Sequence, residues 1–230
     1  MRRQKPRPRQ NGARNIILDA AERVFALHGY DGAAMRMIAS EANVSQALLH
    51  YHFTTKKKLY EAMFERRADV INAFRENGLN ELMADSSRTT LEALIDVLLR
   101  PSPEWLGSET QSGQYFAAVV GAVSIAPDKR SKALMKRHYD PIARKFIASF
   151  MEVMPGLSKR DAVWAYLFAL GARLQLSASN ERGMRLEGTK RPTKHAVLQQ
   201  QYIRFVASGI RSLGDARERP SRLDGRRSLA

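Results

Sequence analysis

The sequence lacks several features that would indicate secretion, a membrane location or thiol chemistry. Its 230 residues include no cysteine, which excludes disulfide bonds, thiolate metal ligands and cysteine nucleophiles. The longest nearly apolar run, residues 115–126, has 12 residues, whereas a membrane-spanning helix needs about 20. Only residues 16–18 are apolar before Asp19, too few for the core of a signal peptide. We therefore expect a soluble, cytoplasmic protein with no membrane partner.

Motifs of known catalytic or metal chemistry are missing as well. The sequence has no glycine-rich phosphate loop and no His-Glu-x-x-His motif, and its five histidines have no carboxylates at motif spacing. His50 and His52 lie two residues apart on a predicted helix, so their rings point about 200° apart and do not converge on a metal ion. His138 and Asp140 form an isolated pair that is more typical of a surface. We expect no metal, no cofactor and no enzymatic activity.

Acidic residues are few relative to basic ones. Lysine and arginine number 38 against 23 aspartates and glutamates, which gives a net charge of +15. Residues 1–66 hold 12 basic and 6 acidic residues, and residues 211–230 hold 6 and 3. A basic N-terminal region suggests either nucleic acid or an anionic membrane surface as partner, although a basic composition can also have no specific role.

The spacing of apolar residues predicts helices along most of the chain, with no alternation typical of strands. Residues 1–13 contain two prolines and five basic residues. We expect them to form a disordered arm that either follows DNA phosphates or only aids solubility. The first helix is predicted to end at Gly29, and a long fourth helix to begin near Lys56. Two short helices lie between them, over 35–42 and 46–52.

The rest of the chain is also predicted to be helical, over 88–99, 113–126, 128–154, 162–176 and 195–213. Pro141 is expected to kink the helix that contains it. Residues 180–193 include two glycines and a proline and are predicted to be a loop. Residues 214–230 are predicted to be a disordered basic tail.

The two short helices and the turn at Asn43 form the arrangement typical of a helix-turn-helix. Asn43 tolerates the left-handed backbone conformation that a sharp turn needs, and Ser45 can cap the helix that follows. The first residues of that second helix are the ones that reach base edges in the major groove. Gln46 can bond adenine through two contacts, while Ala47 and Leu48 can meet thymine methyl groups.

Basic and aromatic side chains next to this motif suggest contacts with DNA phosphates. Three lysines at 56–58 lie at the start of the fourth helix, where a cation costs about 0.3–1 kcal/mol unless an anion binds there. Arg36, one turn into the second helix, can contact guanine or a phosphate. The residues before Phe53 can donate to a phosphate or simply pack the helix end: His50, Tyr51 and His52.

Residues 15–62 resemble the DNA-binding domain of the TetR family of bacterial repressors. The pattern that carries the resemblance is I-L-x-A-A-x-x-x-F-x-x-x-G-Y, then I-A-x-x-A-x-V-S, then L-x-x-x-F-x-x-K-x-x-L. The resemblance implies an all-α fold of about nine helices. In that fold a three-helix helix-turn-helix domain precedes a C-terminal helical domain for ligand binding and dimerisation. It also implies a homodimer and a palindromic operator in double-stranded DNA.

The resemblance also implies roles for individual residues. Arg36, Gln46, Ala47 and Leu48 fall at the family's base-facing positions, and three residues fall at its phosphate-facing positions: His50, His52 and Lys56. The chain departs from the family pattern at four places, where threonine or serine, glycine and tyrosine are usual: Ala33, Ala34, Asn43 and His50. The division we expect is a DNA-binding domain over 14–60 and an effector-binding and dimerisation domain over 61–213.

Residues 162–172 are apolar on nearly every side, so their helix is expected to be buried on more than one face. The second face would be covered either within one chain or by a second subunit, in a four-helix interface that also uses the last helix. The residues expected at a dimer interface are Ala165, Leu170, Leu198, Tyr202, Phe205, Val206 and Ile210.

Aromatic residues on the middle helices could line an effector pocket or could be ordinary core. Arg173 lies on a very apolar helix and needs either a protein partner or a ligand carboxylate. The pocket candidates are Trp105, Tyr115, Phe116, Tyr139, Trp164, Phe168 and Arg173.

These observations predict a DNA-binding transcriptional regulator, a repressor that is released by a small apolar or amphiphilic ligand. The alternative is a dimeric DNA-binding protein with no small-molecule effector.

Overall fold

The structure, a computed structural model, describes residues 10–100, 111–177 and 181–215. Every regular element within these ranges is helical, which confirms the all-α prediction. The α-helices in chain order are α1 (Gln10–Gly32), α2 (Met35–Glu41), α3 (Gln46–His52), α4 (Lys56–Met83), α5 (Leu91–Leu99), α6 (Gln111–Ile125), α7 (Lys129–Leu134), α8 (Asp140–Val153), α9 (Lys159–Ser177), α10 (Glu181–Glu187) and α11 (His195–Asp215). A π-helical turn, Met135–Tyr139, separates α7 from α8. Among the described residues, no helix combines the length and the apolar composition needed to cross a lipid bilayer.

The first compact unit contains the described residues up to 73 and from 111 to 139. Its core is formed by apolar faces of α1 to α4 and α6, whose fully buried side chains include Ile17, Ile38, Leu49, Leu59, Phe64 and Phe116. A buried carboxylate lies among them, because Glu22 on α1 is only 1% exposed. Arg67 on α4 neutralises it, with Nη2 2.7 Å from Oε1. A buried charge is tolerated when it is paired and hydrogen-bonded in this way.

Local signals read from the sequence define the turns of this unit. Gly29 interrupts α1 with φ 66° and ψ 176°, a conformation almost restricted to glycine. Asn43 has φ 51°, which confirms the left-handed turn between α2 and α3. Ser45 Oγ accepts a hydrogen bond from the Leu48 N–H at 3.1 Å and so caps α3, as predicted. Ala34 precedes α2 without a side-chain cap, as its methyl group dictates.

The second compact unit contains the described residues 74–100 and those from 140 onwards. Its core lies among α5, α8, α9 and α11, and its fully buried side chains include Leu94, Ile95, Phe146, Phe150 and Ala162. Thr90 caps α5 by accepting from the Ala93 N–H at 3.2 Å. Ser158 caps α9 in the same way through the Asp161 N–H at 3.1 Å, which confirms the capping motif read from the sequence.

The N-terminal arm is shorter than predicted, because α1 already begins at Gln10. Ala13 is buried to 2% exposure and the Arg14 guanidinium lies 5.4 Å from the centre of the Phe53 ring. These tertiary contacts stabilise a helical turn whose local sequence, with Asn11 and Gly12, is a poor helix former. The rest of the predicted arm, residues 1–9, and residues 216–230 of the predicted tail lie outside the described residues.

Two further predictions need correction. Residues 180–193 were expected to be a loop, but α10 occupies Glu181–Glu187. The helix predicted over 128–154 is divided by the π-helical turn that ends just before Asp140. Pro141 explains this division, because it has no N–H to offer to the carbonyl four residues earlier. The boundary between the two compact units falls after residue 73, within α4.

Candidate nucleic-acid interface

Helix α3 presents a solvent-facing surface that begins at its first residue. Gln46, Ala47 and His50 are exposed and Leu48 is half-buried. Leu49, on the opposite face, is completely buried in the core of the first unit. Because Leu49 and the Ser45 cap fix the helix, the side chains at its start point outward in a defined direction. This is the arrangement that a helix entering the major groove requires.

Arg36 lies on the exposed surface of α2, next to this face. It has no hydrogen-bond or ion-pair partner in the described part of the chain, so its guanidinium is available to a ligand. With Met37, Ser40 and Glu41 it lines a shallow open groove. Glu41 is already neutralised by Arg23, with Nη1 and Oε1 2.9 Å apart, which lowers the negative charge near Arg36. The surface around Arg36 therefore suits a polyanion.

The two residues at the end of α3 differ in accessibility. Tyr51 is 73% exposed, which is unusual for a large ring and leaves its hydroxyl free to donate. His52 is half-buried, with its ring centre 5.3 Å from that of Tyr51 and 6.4 Å from that of Phe53. Its Nε2 atom is shielded from solvent and has no hydrogen-bond partner among the described residues. The predicted phosphate contact of His52 therefore cannot be made through Nε2 in this conformation.

Lys56 has partners within the protein that the sequence did not indicate. Its ammonium group donates to the carbonyl oxygens of Tyr30 at 2.8 Å, Ala33 at 2.9 Å and Asp31 at 3.4 Å. These carbonyls lie where α1 ends and would otherwise lack partners. Its Nζ also lies 4.6 Å from the centre of the Tyr30 ring. Through these contacts Lys56 joins the end of α1 to the start of α4.

The next two lysines are the cations that face solvent at the start of α4. Lys57 and Lys58 are both exposed. Lys57 has a weak partner in Glu61, with Nζ and Oε1 3.9 Å apart. Lys58 has no side-chain partner among the described residues. Thr55 Oγ1 accepts from the Lys58 N–H at 3.2 Å and so caps the helix. The run of three lysines in the sequence indicated a cationic site at the start of α4. Which of the three ammonium groups has no partner within the protein depends on the tertiary structure.

Arg130, Tyr30 and Tyr60 form a cluster of a cation and two phenol rings next to Lys56. The Arg130 guanidinium lies 3.4 Å from the centre of the Tyr30 ring, and the Tyr30 and Tyr60 rings meet edge to face at 5.1 Å. Burial raises the pKa of Tyr60 to about 12, and the positive charge of Arg130 opposes that rise only partly. The cluster fixes Tyr30, whose carbonyl receives Lys56, through cation–π and aromatic contacts.

The aromatic residues predicted to line an effector pocket lie in different surroundings. Phe116 and Tyr139 belong to the core of the first unit, where their rings lie 5.7 and 5.9 Å from Phe64. Tyr115 is half-buried, and the Arg23 guanidinium lies 5.9 Å from the centre of its ring. All three rings thus have contacts within the first unit.

The other pocket candidates that the structure describes are less buried than Phe116 and Tyr139. Trp164 and Phe168 are 50% and 61% exposed on α9, with ring centres 5.7 Å apart, so they are surface residues. Arg173 is half-buried. Trp105 lies outside the described residues.

The residues predicted at a dimer interface also separate into two groups. Four of them are at most 6% exposed and belong to the core of the second unit: Ala165, Tyr202, Val206 and Ile210. The Tyr202 hydroxyl donates to the Ala169 carbonyl and is therefore occupied within the chain. Leu170 and Leu198 are half-buried, whereas Phe205 is 74% exposed.

An apolar groove lies between α9 and α11, the two helices on which the sequence predicts a dimer interface. Its lining includes Phe168, Phe205, Gln201 and Gly209. Leu167 and Trp164 on α9 are also about half exposed, at 46% and 50%. Exposed apolar side chains grouped in this way mark an interaction surface.

The helical fold and the exposed start of α3 after a tight turn define a helix-turn-helix protein of the class that reads duplex DNA. Two family profiles give the same result more specifically. Residues 17–63 match the bacterial regulatory proteins of the tetR family, and residues 96–209 match the tetracycline repressor-like C-terminal domain. The chain belongs to the TetR family of bacterial regulatory proteins.

Individual relatives are similar over only part of the chain. The chain is 38% identical over 73 residues to the transcriptional repressor AcnR of Corynebacterium diphtheriae, which covers 31% of this chain and 38% of AcnR. It is 39% identical over 56 residues to the negative transcriptional regulator IcaR of the Staphylococcus aureus icaADBC biofilm operon, covering 24% of this chain and 30% of IcaR. The matches therefore span well under half of these relatives.

The fatty acid degradation regulator FadR from Bacillus halodurans has a similar structure. Its TM-score is 0.61 at 17% identity, over 90% of this chain and 99% of FadR. This similarity concerns the fold alone.

Proposed function

We propose that this protein represses transcription by binding a palindromic operator in double-stranded DNA as a homodimer, and that a small apolar or amphiphilic molecule releases it. The observation that carries the DNA-binding part is the fixed, solvent-facing start of α3, where Gln46 and Ala47 are exposed above the buried Leu49. Repression is supported by the similarity to AcnR and IcaR, which are a repressor and a negative regulator.

Contacts with bases and with phosphates come from different side chains in this proposal. Gln46 and Arg36 read base edges, because an amide can bond adenine twice and a guanidinium can bond guanine twice. Ala47 and Leu48 contact thymine methyl groups. Phosphates are bound by Lys58, Tyr51 and His50, whose polar atoms are free to reach a backbone on either side of the groove. Ser45 acts by holding α3 in register.

The proposed dimer is formed by the apolar groove between α9 and α11. Phe205 is 74% exposed and Phe168 61%, and burying both against a second copy would remove a large apolar area from water. A two-fold axis between the copies would present two reading helices, which bind half-sites one helical turn or a multiple of it apart. Leu170 and Leu198, both half-buried, would contribute at the edge of this surface.

On this proposal residues 14–60 bind DNA and residues 61–213 sense the ligand and dimerise, in the cytoplasm with the chromosome. A ligand can release the protein only if it binds one conformation of the dimer better than the other. The alternative of a regulator without an effector predicts no ligand that weakens operator binding.

The test is selection of bound duplexes from a random pool by the full-length protein, followed by sequencing. We expect an inverted repeat whose half-site centres are about 10 bp, or a multiple of that, apart. The double variant Arg36→Ala with Gln46→Ala should still retain duplexes but without a consensus. Retention of duplexes by the wild-type protein with no enriched sequence would contradict the proposal.

A further inference from the structure

We propose that the second compact unit binds the carboxylate of an apolar, carboxylate-bearing ligand through the Arg75 guanidinium and the Tyr166 hydroxyl. The inference names the chemical class of the effector, and its consequence for DNA binding rests on the proposed function. It starts from two buried polar groups that have no partner in the described part of the protein.

Arg75 is a buried cation on α4. Its side chain is 3% exposed, and its Nε atom is wholly shielded and without a hydrogen bond. No hydrogen bond or ion pair joins Arg75 to any other described residue. One and two turns further along the same face of α4 lie Leu79 and Leu82, which are buried in the core of the second unit. Arg75 therefore carries its charge into an apolar environment.

A guanidinium cannot escape this situation by losing its proton, because its pKa is too high. A buried charge without a counterion is among the most unfavourable arrangements in a protein. The buried carboxylate of Glu22 in the first unit illustrates the usual solution, since Arg67 is bound to it. No described side chain does the same for Arg75, and the counterion that we propose for it is an external anion.

Tyr166 supplies a second unpartnered donor in the same unit. Its hydroxyl is shielded from solvent and makes no hydrogen bond to a described residue. Tyr166 belongs to the same apolar core as Leu79 and Leu82, which share the face of α4 that carries Arg75. Burial raises the pKa of Tyr166, and the positive charge of Arg75 opposes that rise. The same charge acts on Tyr202, but the Tyr202 hydroxyl already donates to the Ala169 carbonyl. Arg75 and Tyr166 are thus two donors that lack a common acceptor.

The neighbouring carboxylate does not meet this need. The charge of Asp140 helps to raise the pKa of Tyr166. Asp140 is nevertheless half-exposed, and its Oδ2 lies 3.8 Å from Nη2 of Arg144. An external acceptor with one negative charge would satisfy both donors, and a planar carboxylate matches the fork of a guanidinium through two parallel hydrogen bonds. The fully buried Phe146 ring, 6.5 Å from that of Tyr166, indicates apolar surroundings for the rest of such a ligand. A quaternary ammonium would be repelled by Arg75.

The test compares four probes on the full-length protein by calorimetric titration and thermal unfolding: octanoate, 1-octanol, octyltrimethylammonium and inorganic phosphate, at equal ionic strength. Octanoate should bind and raise Tm, and each of the other three probes should bind at least about tenfold more weakly. The comparison distinguishes recognition of the carboxylate from binding of the alkyl chain alone and from binding of any charged group. Equal affinity for 1-octanol, for the ammonium probe or for phosphate would overturn the inference.

Three variants test which side chains bind octanoate. Arg75→Met should lose about tenfold or more in octanoate affinity and Tyr166→Phe several-fold, by loss of charged and neutral donors. Arg144→Met is the matched control, since it removes an arginine that is 71% exposed on α8, and its octanoate affinity should be unchanged. Unchanged octanoate affinity in Tyr166→Phe and Arg75→Met would overturn the inference, and Tyr166→Phe alone provides the test if the arginine variant fails to fold.

The protein without ligand gives an independent readout. Arg75→Met should have a Tm equal to or above that of the wild type, because it removes a buried charge that has no partner. A lower Tm together with no octanoate binding by the wild type would show that Arg75 has a partner within the protein. Because these titrations contain no DNA, operator binding without octanoate binding contradicts only this inference. Octanoate binding without operator binding contradicts only the proposed function.

Discussion

The ammonium group of Lys56, at the start of α4, lies 2.8 Å from the carbonyl oxygen of Tyr30, near the end of α1. These two residues flank the whole α2–turn–α3 segment. Their contact joins the two ends of this segment, while the buried side chain of Leu49 holds α3 against the core. The direction of the reading helix therefore depends on a hydrogen bond between residues 26 positions apart.

Replacing Lys56 should destabilise the fold. Lys56→Met leaves the carbonyls of Tyr30 and Ala33 without their charged donor, and the free energy of unfolding should fall by about 1.5–3 kcal/mol. Urea denaturation measures this. Lys58→Met is the matched control and should change stability by less than about 0.5 kcal/mol. Equal losses for the two variants would show that Lys56 has no special structural role.

Replacing Lys58 should weaken DNA binding without regard to sequence. This lysine is exposed and, on the proposed function, neutralises one phosphate, so Lys58→Ala should lower affinity for operator and random duplexes alike. The slope of log affinity against log salt should shrink by about one. Fluorescence anisotropy over a salt series measures both. A loss confined to the operator would assign Lys58 to base recognition instead.

Replacing the residues that face the bases should have the opposite pattern. Gln46→Ala and Arg36→Ala should each cost about 1–3 kcal/mol on the selected operator and little on random DNA. Both side chains are exposed and neither variant should alter the unfolding midpoint. Competition binding against random duplex measures the difference, and comparable losses on both kinds of DNA would contradict the assignment.

An acidic residue in the groove between α9 and α11 should prevent dimerisation. Phe205 is 74% exposed in the single chain, so Phe205→Glu should fold normally yet sediment as a monomer. Leu27→Glu, on α1 at a residue that is 60% exposed, is the control and should sediment as the wild type does. Sedimentation velocity measures both. A dimeric Phe205→Glu protein would place the interface elsewhere.

Acid should destabilise the protein through His138. Burial, with help from Arg137, lowers the pKa of His138 below its ordinary 6.5, although the Asp69 carboxylate 3.8 Å from Nδ1 acts against it. A lowered pKa means that the unfolded chain takes up the proton more readily. Stability is therefore fully present above pH 6.5 and is lost as pH falls through the lower pKa of the folded state.

His138→Phe should make that loss smaller, because it leaves no group to be protonated next to the Phe64 ring. Urea denaturation from pH 7.5 down to pH 5 measures the loss. His28→Gln, at an exposed histidine on α1, is the control. The same pH dependence of stability in His138→Phe and in the wild type would show that protonation of His138 does not cause the loss.

The parts of the fold that depend on local chemistry could be predicted from the sequence. Gly29, Asn43 and Ser45 determine a helix interruption, a left-handed turn and a cap through their own backbone and side-chain properties. The outward-facing start of α3 followed from the same local pattern.

The remaining features depend on distant contacts. The carbonyls that Lys56 binds come from residues 30–33, and no spacing in the sequence indicates this pairing. Similarly, Arg75 stands between Phe74 and Glu76 and resembles any surface arginine until its burial is known. On α9 and α11, periodicity identified apolar residues but not which of them the chain itself buries, so Ala165 and Phe205 were assigned to one surface.

The most direct test of the central claim is the affinity of the full-length protein for a selected palindromic duplex and for a scrambled duplex of the same composition, at about 0.15 M salt. If the start of α3 reads base edges, the palindrome should bind at least about a thousandfold more tightly, and heparin should compete poorly. Affinities within tenfold of each other, with heparin displacing both duplexes equally, would contradict the claim that this face reads sequence.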